Sequence, residues 1–182
     1  MKFFIFFLLF NLATIKIVAQ PKPKWFLESA IRLTSDAEMV FIGPSFGVGA
    51  GVELDQRWSL SMSYTFFNSR LSNPDELFRT HTIDLTSNIH FRNVFTPLKG
   101  FYFGPGIARQ FRKQTPESNA PERHSYWAAV FNAGYFFPII INKKPRSLAI
   151  DIKAIGPYIQ SDSGSAYTEI LTQLMLGLRL RF

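Results

Sequence analysis

No cysteine occurs anywhere in this chain of 182 residues. Disulfides are therefore excluded as a source of stability, and so is membrane attachment through a lipidated N-terminal cysteine. Histidine is scarce: His81, His90 and His124 are scattered, without the spacing that a metal centre needs. Neither a metal nor any cofactor is expected. Long apolar runs are missing beyond the N-terminus, and a mean hydropathy of +0.05 excludes a bundle of membrane helices. The one long uncharged stretch, Ser125 to Asn142, is interrupted by Asn132, Gly134 and Pro138, while Trp127, Phe131, Tyr135 and Phe137 alternate along it. It reads as a strand running into a turn. The glycine runs Gly47-Val-Gly-Ala-Gly51 and Gly104-Pro-Gly106 lie inside alternating strands with no helix following. They are strand kinks and close-packing positions rather than a phosphate loop.

What is present begins with Met1-Lys2, an apolar run from Phe3 to Leu12, and Ile17-Val-Ala19 before Gln20. This is the pattern of a secretory signal peptide, residues 1–19, with cleavage expected after Ala19 and a mature domain over 20–182. Without Lys2 and Lys16 the basic count falls from 20 to 18, and against 13 acids the mature charge is +5. On an exported chain with scattered charge this balance points to phosphate-bearing lipid, and nucleic acid is not expected as a partner.

Turn-forming clusters cut the mature chain into eight segments of about ten residues, the length of a tilted membrane strand. Each alternates. Trp58, Leu60, Met62, Tyr64 and Phe66 oppose Ser59, Ser61, Ser63 and Thr65; Leu27, Ile31 and Leu33 oppose Glu28, Ala30 and Arg32; Ile83, Leu85, Ile89 and Phe91 oppose Thr82, Asp84, Thr86, Asn88 and His90. Leu54-Asp-Gln-Arg57 is a tight turn, and Pro138 to Arg146 is expected as a rather long one at the same end. Asn68 to Arg79, Phe111 to Arg123 and Pro157 to Tyr167 are longer polar loops at the other end. The expected fold class is all-β: an eight-stranded antiparallel up-and-down transmembrane β-barrel.

A soluble, lipocalin-like barrel would share the alternation but turn its apolar face inward. Here that face carries Trp25, Trp58, Trp127, Phe66, Phe91, Phe101, Phe103, Phe131 and Phe137. An eight-stranded lumen is just wide enough for side chains to fill and would not hold so many rings. The opposite face, rich in Gly, Ala and Ser, suits a narrow lumen. Apolar residues are therefore expected outside against lipid, with aromatics near the strand ends.

The last residues, Ile170 to Phe182, place Leu174, Leu176, Leu178, Leu180 and Phe182 on one face and Gln173, Met175, Gly177, Arg179 and Arg181 on the other. This ending resembles the final strand of Gram-negative outer-membrane barrels. With Gly47-Val-Gly-Ala-Gly-Val-Glu-Leu54 and Trp58-Ser-Leu-Ser-Met-Ser-Tyr64, the mature chain resembles the small OmpA/OmpX-like barrels. The resemblance implies outer-membrane localisation after export, with Leu176, Leu178, Leu180 and Phe182 as a signal read by the barrel assembly machinery. A monomer is expected.

The inward set includes Glu28, Arg32, Glu53, Asp84, His90, Asp151, Lys153, Glu169, Arg179 and Arg181. In a narrow lumen such charges must pair, so a plug of salt bridges is expected, with a gated polar pore as the alternative. Arg109, Arg112 and Lys113 form a candidate contact for lipopolysaccharide phosphates. The function expected is a non-enzymatic barrel serving surface interaction or envelope integrity. The runner-up is passage of small solutes through the lumen or by a lateral route, as in OmpW-like proteins. A third reading is a lipid A acyl hydrolase or transferase, but His90-Phe-Arg-Asn93 has Arg92 where the deacylase signature His-x-Ser-Asn has its nucleophile. His124-Ser125, at the outer end of the sixth segment, is better placed, but a lone His-Ser pair is a weak signal.

Overall fold

The computed structural model describes residues 23–36, 42–70, 77–91, 99–115, 122–159 and 173–182. The expected signal peptide (1–19), Glu169 and much of the three long loops lie outside the described residues. Eight strands follow in order: β1 (Lys24–Asp36), β2 (Ile42–Glu53), β3 (Trp58–Arg70), β4 (Leu77–His90), β5 (Phe101–Thr115), β6 (Glu122–Ile141), β7 (Lys144–Ile159) and β8 (Gln173–Arg181). Each pairs antiparallel with the next, and β8 closes on β1 from Glu28 opposite Arg181 to Asp36 opposite Gln173, giving a closed barrel. Closure leaves no sheet edge along the wall.

The pairing also sets the tilt. From Phe101 the register passes through Tyr135, Ile150, Leu178, Ile31, Phe46, Phe66 and His81, and returns to β5 at Phe111, ten residues along the strand. That stagger corresponds to strands inclined by about 40°. At about 3.3 Å per residue, Phe101 and Phe111 are then about 25 Å apart along the barrel axis.

Side chains obey the alternation. Phe46, Val48, Met62 and Trp127 are each more than half exposed, while Ser59, Ser61, Ser63 and Thr65 are buried. The apolar face is the outer one, which eliminates the soluble-barrel arrangement. Aromatic rings gather in two girdles on the outer surface. One, at the end where both described termini lie, holds Trp25, Trp58, Phe91, Phe101, Phe137 and Phe182; the other holds Phe66, Phe111 and Trp127. The separation matches the apolar band of about 25 Å found on outer-membrane barrels.

Turn chemistry explains two of the short connections. Asp55 Oδ1 accepts the backbone amides of Arg57 and Trp58, both at 2.6 Å, an Asx turn joining β2 to β3. Between β6 and β7 the expectation of a long turn over Pro138 to Arg146 is wrong. The strands continue to Ile141 and from Lys144, leaving a two-residue turn of Asn142 (φ 51°) and Lys143 (φ 62°). Two left-handed residues in sequence make a type I′ hairpin, whose twist matches that of the strands. Neither proline breaks the pairing, because in an antiparallel pair alternate amides point away from the partner. Lys143 holds its conformation against steric cost, so Lys143→Gly is expected to raise stability by about 1 kcal/mol, read from the urea midpoint in lipid vesicles.

Candidate functional site

Small residues clear the lumen for long ones. At Gly177 of β8 any side chain would run into the Ile31 carbonyl and the Arg32 side chain. Glycine there lets Arg32 cross the barrel, where Nη2 lies 3.0 Å from Asp151 Oδ2. The same carboxylate oxygen accepts from Arg179 Nη2 at 2.8 Å. Arg179 also donates to Asn132 Oδ1 at 3.0 Å and to the Tyr102 hydroxyl, and its other amine reaches Glu28 at 3.4 Å. Glu28 is 3.6 Å from Arg181, which reaches Glu53 at 3.4 Å. A second cluster joins Lys153 Nζ to Asp84 Oδ2 and to Ser63 Oγ, at 2.8 and 3.0 Å, with Ser63 itself donating to Asp84.

Four carboxylates (Glu28, Glu53, Asp84, Asp151) thus meet four cations (Arg32, Lys153, Arg179, Arg181). The charges balance, and most of these side chains are almost wholly buried. Nine of the ten residues expected to form the polar network are described, and all nine face the lumen; the tenth, Glu169, lies outside the described residues. His90 Nε2 is 2.7 Å from Ser59 Oγ, and its ring centre lies 5.9 Å from that of Tyr102 and 6.1 Å from that of Phe136. The Ser59–His90 pair has the members of a nucleophilic dyad, but Ser59 is 1% exposed, so its hydroxyl is turned away from any substrate outside the wall. His81, on the outer surface, bonds the Tyr64 hydroxyl through Nδ1 at 2.6 Å. The side chain of His124 lies outside the described ones.

Neutral members of the network escaped the sequence reading, which sought charge. Asn132 donates to Asn88 Oδ1 at 3.0 Å, and Gln110 donates to Gln173 Oε1 at 2.8 Å and Thr82 Oγ1 at 3.2 Å. Gln110 was legible as the next inward position after Tyr102, Gly104, Gly106 and Ala108. Also unanticipated is an apolar cluster on the inner wall of β5 to β8, toward the end remote from the termini: Ala108, Tyr126, Ala128, Val130, Ile155 and Met175 are buried together. Beneath it a void of about 10 Å³ among Glu28, Arg32, Gly47 and Ser63 has room for about one water. A larger recess of about 430 Å³ lies outside, lined by Leu27, Val48, Ala50, Met62, Tyr64 and Ile83, on the lipid-type surface.

The candidate lipopolysaccharide contact divides. Arg109 and Lys113 face outward, Arg109 bonding Ser125 Oγ at 2.7 Å and lying 5.3 Å from the Trp127 ring centre. Arg112 does not join them: it has the inward parity of Ala108 and Gln110, and its guanidinium lies over the Tyr126 ring at 5.3 Å. Alternation is the reason, since residues of odd separation leave a strand on opposite faces. Arg79 takes its place, exposed and opposite Lys113 in the register. At the C-terminal strand, Leu176, Leu178 and Phe182 are about half exposed on the outside with Leu180 between them, and the Phe182 amide donates to Leu27 O at 2.9 Å.

No protein-family model matches this chain, and no curated protein matches it. Solved structures do. Neisserial surface protein A superposes with a TM-score of 0.63 at 12% identity, over 88% of this chain and 98% of that one. The N-terminal β-barrel domain of Pseudomonas aeruginosa OprF gives 0.56 at 16% identity, over 87% and 97%. The outer membrane protein OprG from Pseudomonas aeruginosa gives 0.54 at 7%, over 87% and 95%. By strand count, topology and closure, this chain has the fold of the small eight-stranded outer-membrane β-barrels.

Proposed function

We propose that the protein is a non-enzymatic, monomeric barrel of the Gram-negative outer membrane, exported by a signal peptide. Its lumen is a structural plug, and its outer rim and loops serve surface interaction or envelope integrity. The observation that carries this reading is the pairing of two surfaces: an apolar, aromatic-bordered exterior and a charge-balanced interior. An exposed apolar surface far above the few hundred Å² normal for a soluble monomer calls for lipid around it. A lumen filled by paired, buried charges is a support for the wall.

Arg79, Arg109 and Lys113 stand at or just beyond the Phe111–Trp127 girdle, at the depth of lipid phosphates. With the termini on the periplasmic side, this rim faces outward, and lipopolysaccharide is its partner. The expected result is outer-membrane fractionation with a gel-mobility difference between boiled and unboiled samples, and no stepwise conductance in planar bilayers. Protein purified from the membrane should retain lipopolysaccharide, and Arg79→Gln/Arg109→Gln/Lys113→Gln should lose most of it. A soluble periplasmic product would overturn the localisation, and steady single-channel currents would overturn the plug.

A further inference from the structure

The β6–β7 hairpin outgrows the barrel at the end where the termini lie. Strand β5 accompanies β6 only to Tyr135, opposite Phe101, and β8 accompanies β7 only to Ser147, opposite Arg181. Beyond the last link, Phe136 N to Gly100 O at 2.8 Å, the ribbon from Phe137 to Arg146 pairs, among the described residues, only with itself. Ring contacts identify its faces. Phe136 turns inward, against Tyr102, His90 and Arg181. Phe137 packs outward on Tyr135, and Arg146 outward over Phe182, 5.3 Å from its ring centre. The outer face therefore carries Phe137, Ile139 and Ile141 on one strand, with Arg146 opposite Ile139 and Lys144 opposite Ile141 on the other.

Depth follows from the strand geometry. Ile139 and Arg146 lie about 5 Å below the Phe137–Phe182 girdle, and Ile141 and Lys144 about 10 Å below, at 3.3 Å per residue and 40° of tilt. A headgroup layer is about 5–7 Å thick on each side of the hydrocarbon. The ribbon thus spans the layer of phosphates, with apolar side chains beside cations on one face. The rest of this rim has the same sign. Lys24, Arg57 and Lys99 are exposed there with Lys143 and Lys144, while the two described acids are engaged, Glu53 with Arg181 and Asp55 with the backbone amides of Arg57 and Trp58. Pro138 and Pro145 each remove a backbone donor from the ribbon, which disfavours an added protein strand.

We infer that the β6–β7 ribbon is a docking foot for anionic phospholipid in the leaflet on the side of the termini. Arg146 and Lys144 bind the headgroup phosphate, with Ile139 and Ile141 beside them at the same depth, while Phe137 and Phe182 of the girdle meet the start of the acyl chain. Continuity with the apolar belt and charge complementarity select this occupant, and the inference rests on the membrane-spanning reading proposed above.

The absence of cysteine makes a clean experiment possible. Ile141→Cys and, separately, Met62→Cys in the middle of the belt would carry one environment-sensitive fluorophore each, in full-length protein refolded into phosphatidylcholine vesicles. The vesicles would be doped with brominated phosphatidylcholine or brominated phosphatidylglycerol as quenchers. At Ile141 phosphatidylglycerol should quench more strongly than phosphatidylcholine, and Lys144→Gln and Arg146→Gln should each reduce that preference by about fivefold, the effect of one basic side chain at an anionic surface. At Met62 both lipids should quench. Quenching at Ile141 by aqueous iodide but by neither lipid, or equally by both lipids, would overturn the inference while leaving the barrel reading intact. Failure of lipid quenching at Met62 would overturn the barrel reading instead.

Discussion

Arginine in place of Ile152 is expected to destabilise the protein by about 2–4 kcal/mol in a bilayer, the cost of a cation at mid-depth on a lipid-facing strand. Ile152 is 49% exposed, pairs with Leu176, and lies near the middle of the belt between the two girdles. On a water-facing surface the same change would stay within about 0.5 kcal/mol of neutral. The measurement is the urea unfolding midpoint in lipid vesicles. An unchanged midpoint would overturn the assignment of this face to lipid, whatever the fold. Because solvent-exposed apolar residues are ordinary on any protein, this substitution tests the environment, which exposure alone does not identify.

One residue earlier the consequence reverses in origin and grows in size. Asp151 is wholly buried and holds two guanidinium groups, Arg32 at 3.0 Å and Arg179 at 2.8 Å. Asp151→Ala is expected to cost about 3–5 kcal/mol, because it strands buried cations rather than merely deleting a bond. Arg179 keeps Glu28 and Asn132, whereas no other acidic partner of Arg32 occurs among the described ion pairs. The double variant Asp151→Ala/Arg32→Met should therefore recover part of the loss in the same urea assay, a non-additivity expected of contacting groups. Additive losses would show that Asp151 and Arg32 are neighbours without energetic coupling. Asp151 and Ile152 are adjacent in sequence yet face opposite environments, so the two tests probe both sides of one strand.

Much of this arrangement was legible beforehand because strand alternation is a local property. The Ser59–Ser61–Ser63 face against Trp58–Leu60–Met62 needs no distant partner to be recognised. Eight such segments, separated by turn residues, specify an even-stranded meander, and the excess of rings on one face specifies which side lies outward. The same parity could have separated Arg112 from Arg109 and Lys113, and it could have found Gln110.

The ribbon was hidden for another reason. Pro138, Asn142 and Pro145 are turn formers by local preference, yet cross-strand pairing carries two of them within strands and concentrates the reversal at Asn142-Lys143. Choice of partner was equally out of reach. Arg179 lies 151 residues from Glu28, and they meet only because closure and a ten-residue stagger bring β8 beside β1 at that height. The sequence by itself determined the strands, their faces and the sign of every lumen charge, because each follows from spacing along a few residues. The tertiary structure alone decided which charges pair, where the inner apolar cluster forms and how far the β6–β7 ribbon projects, because those depend on register around a closed sheet.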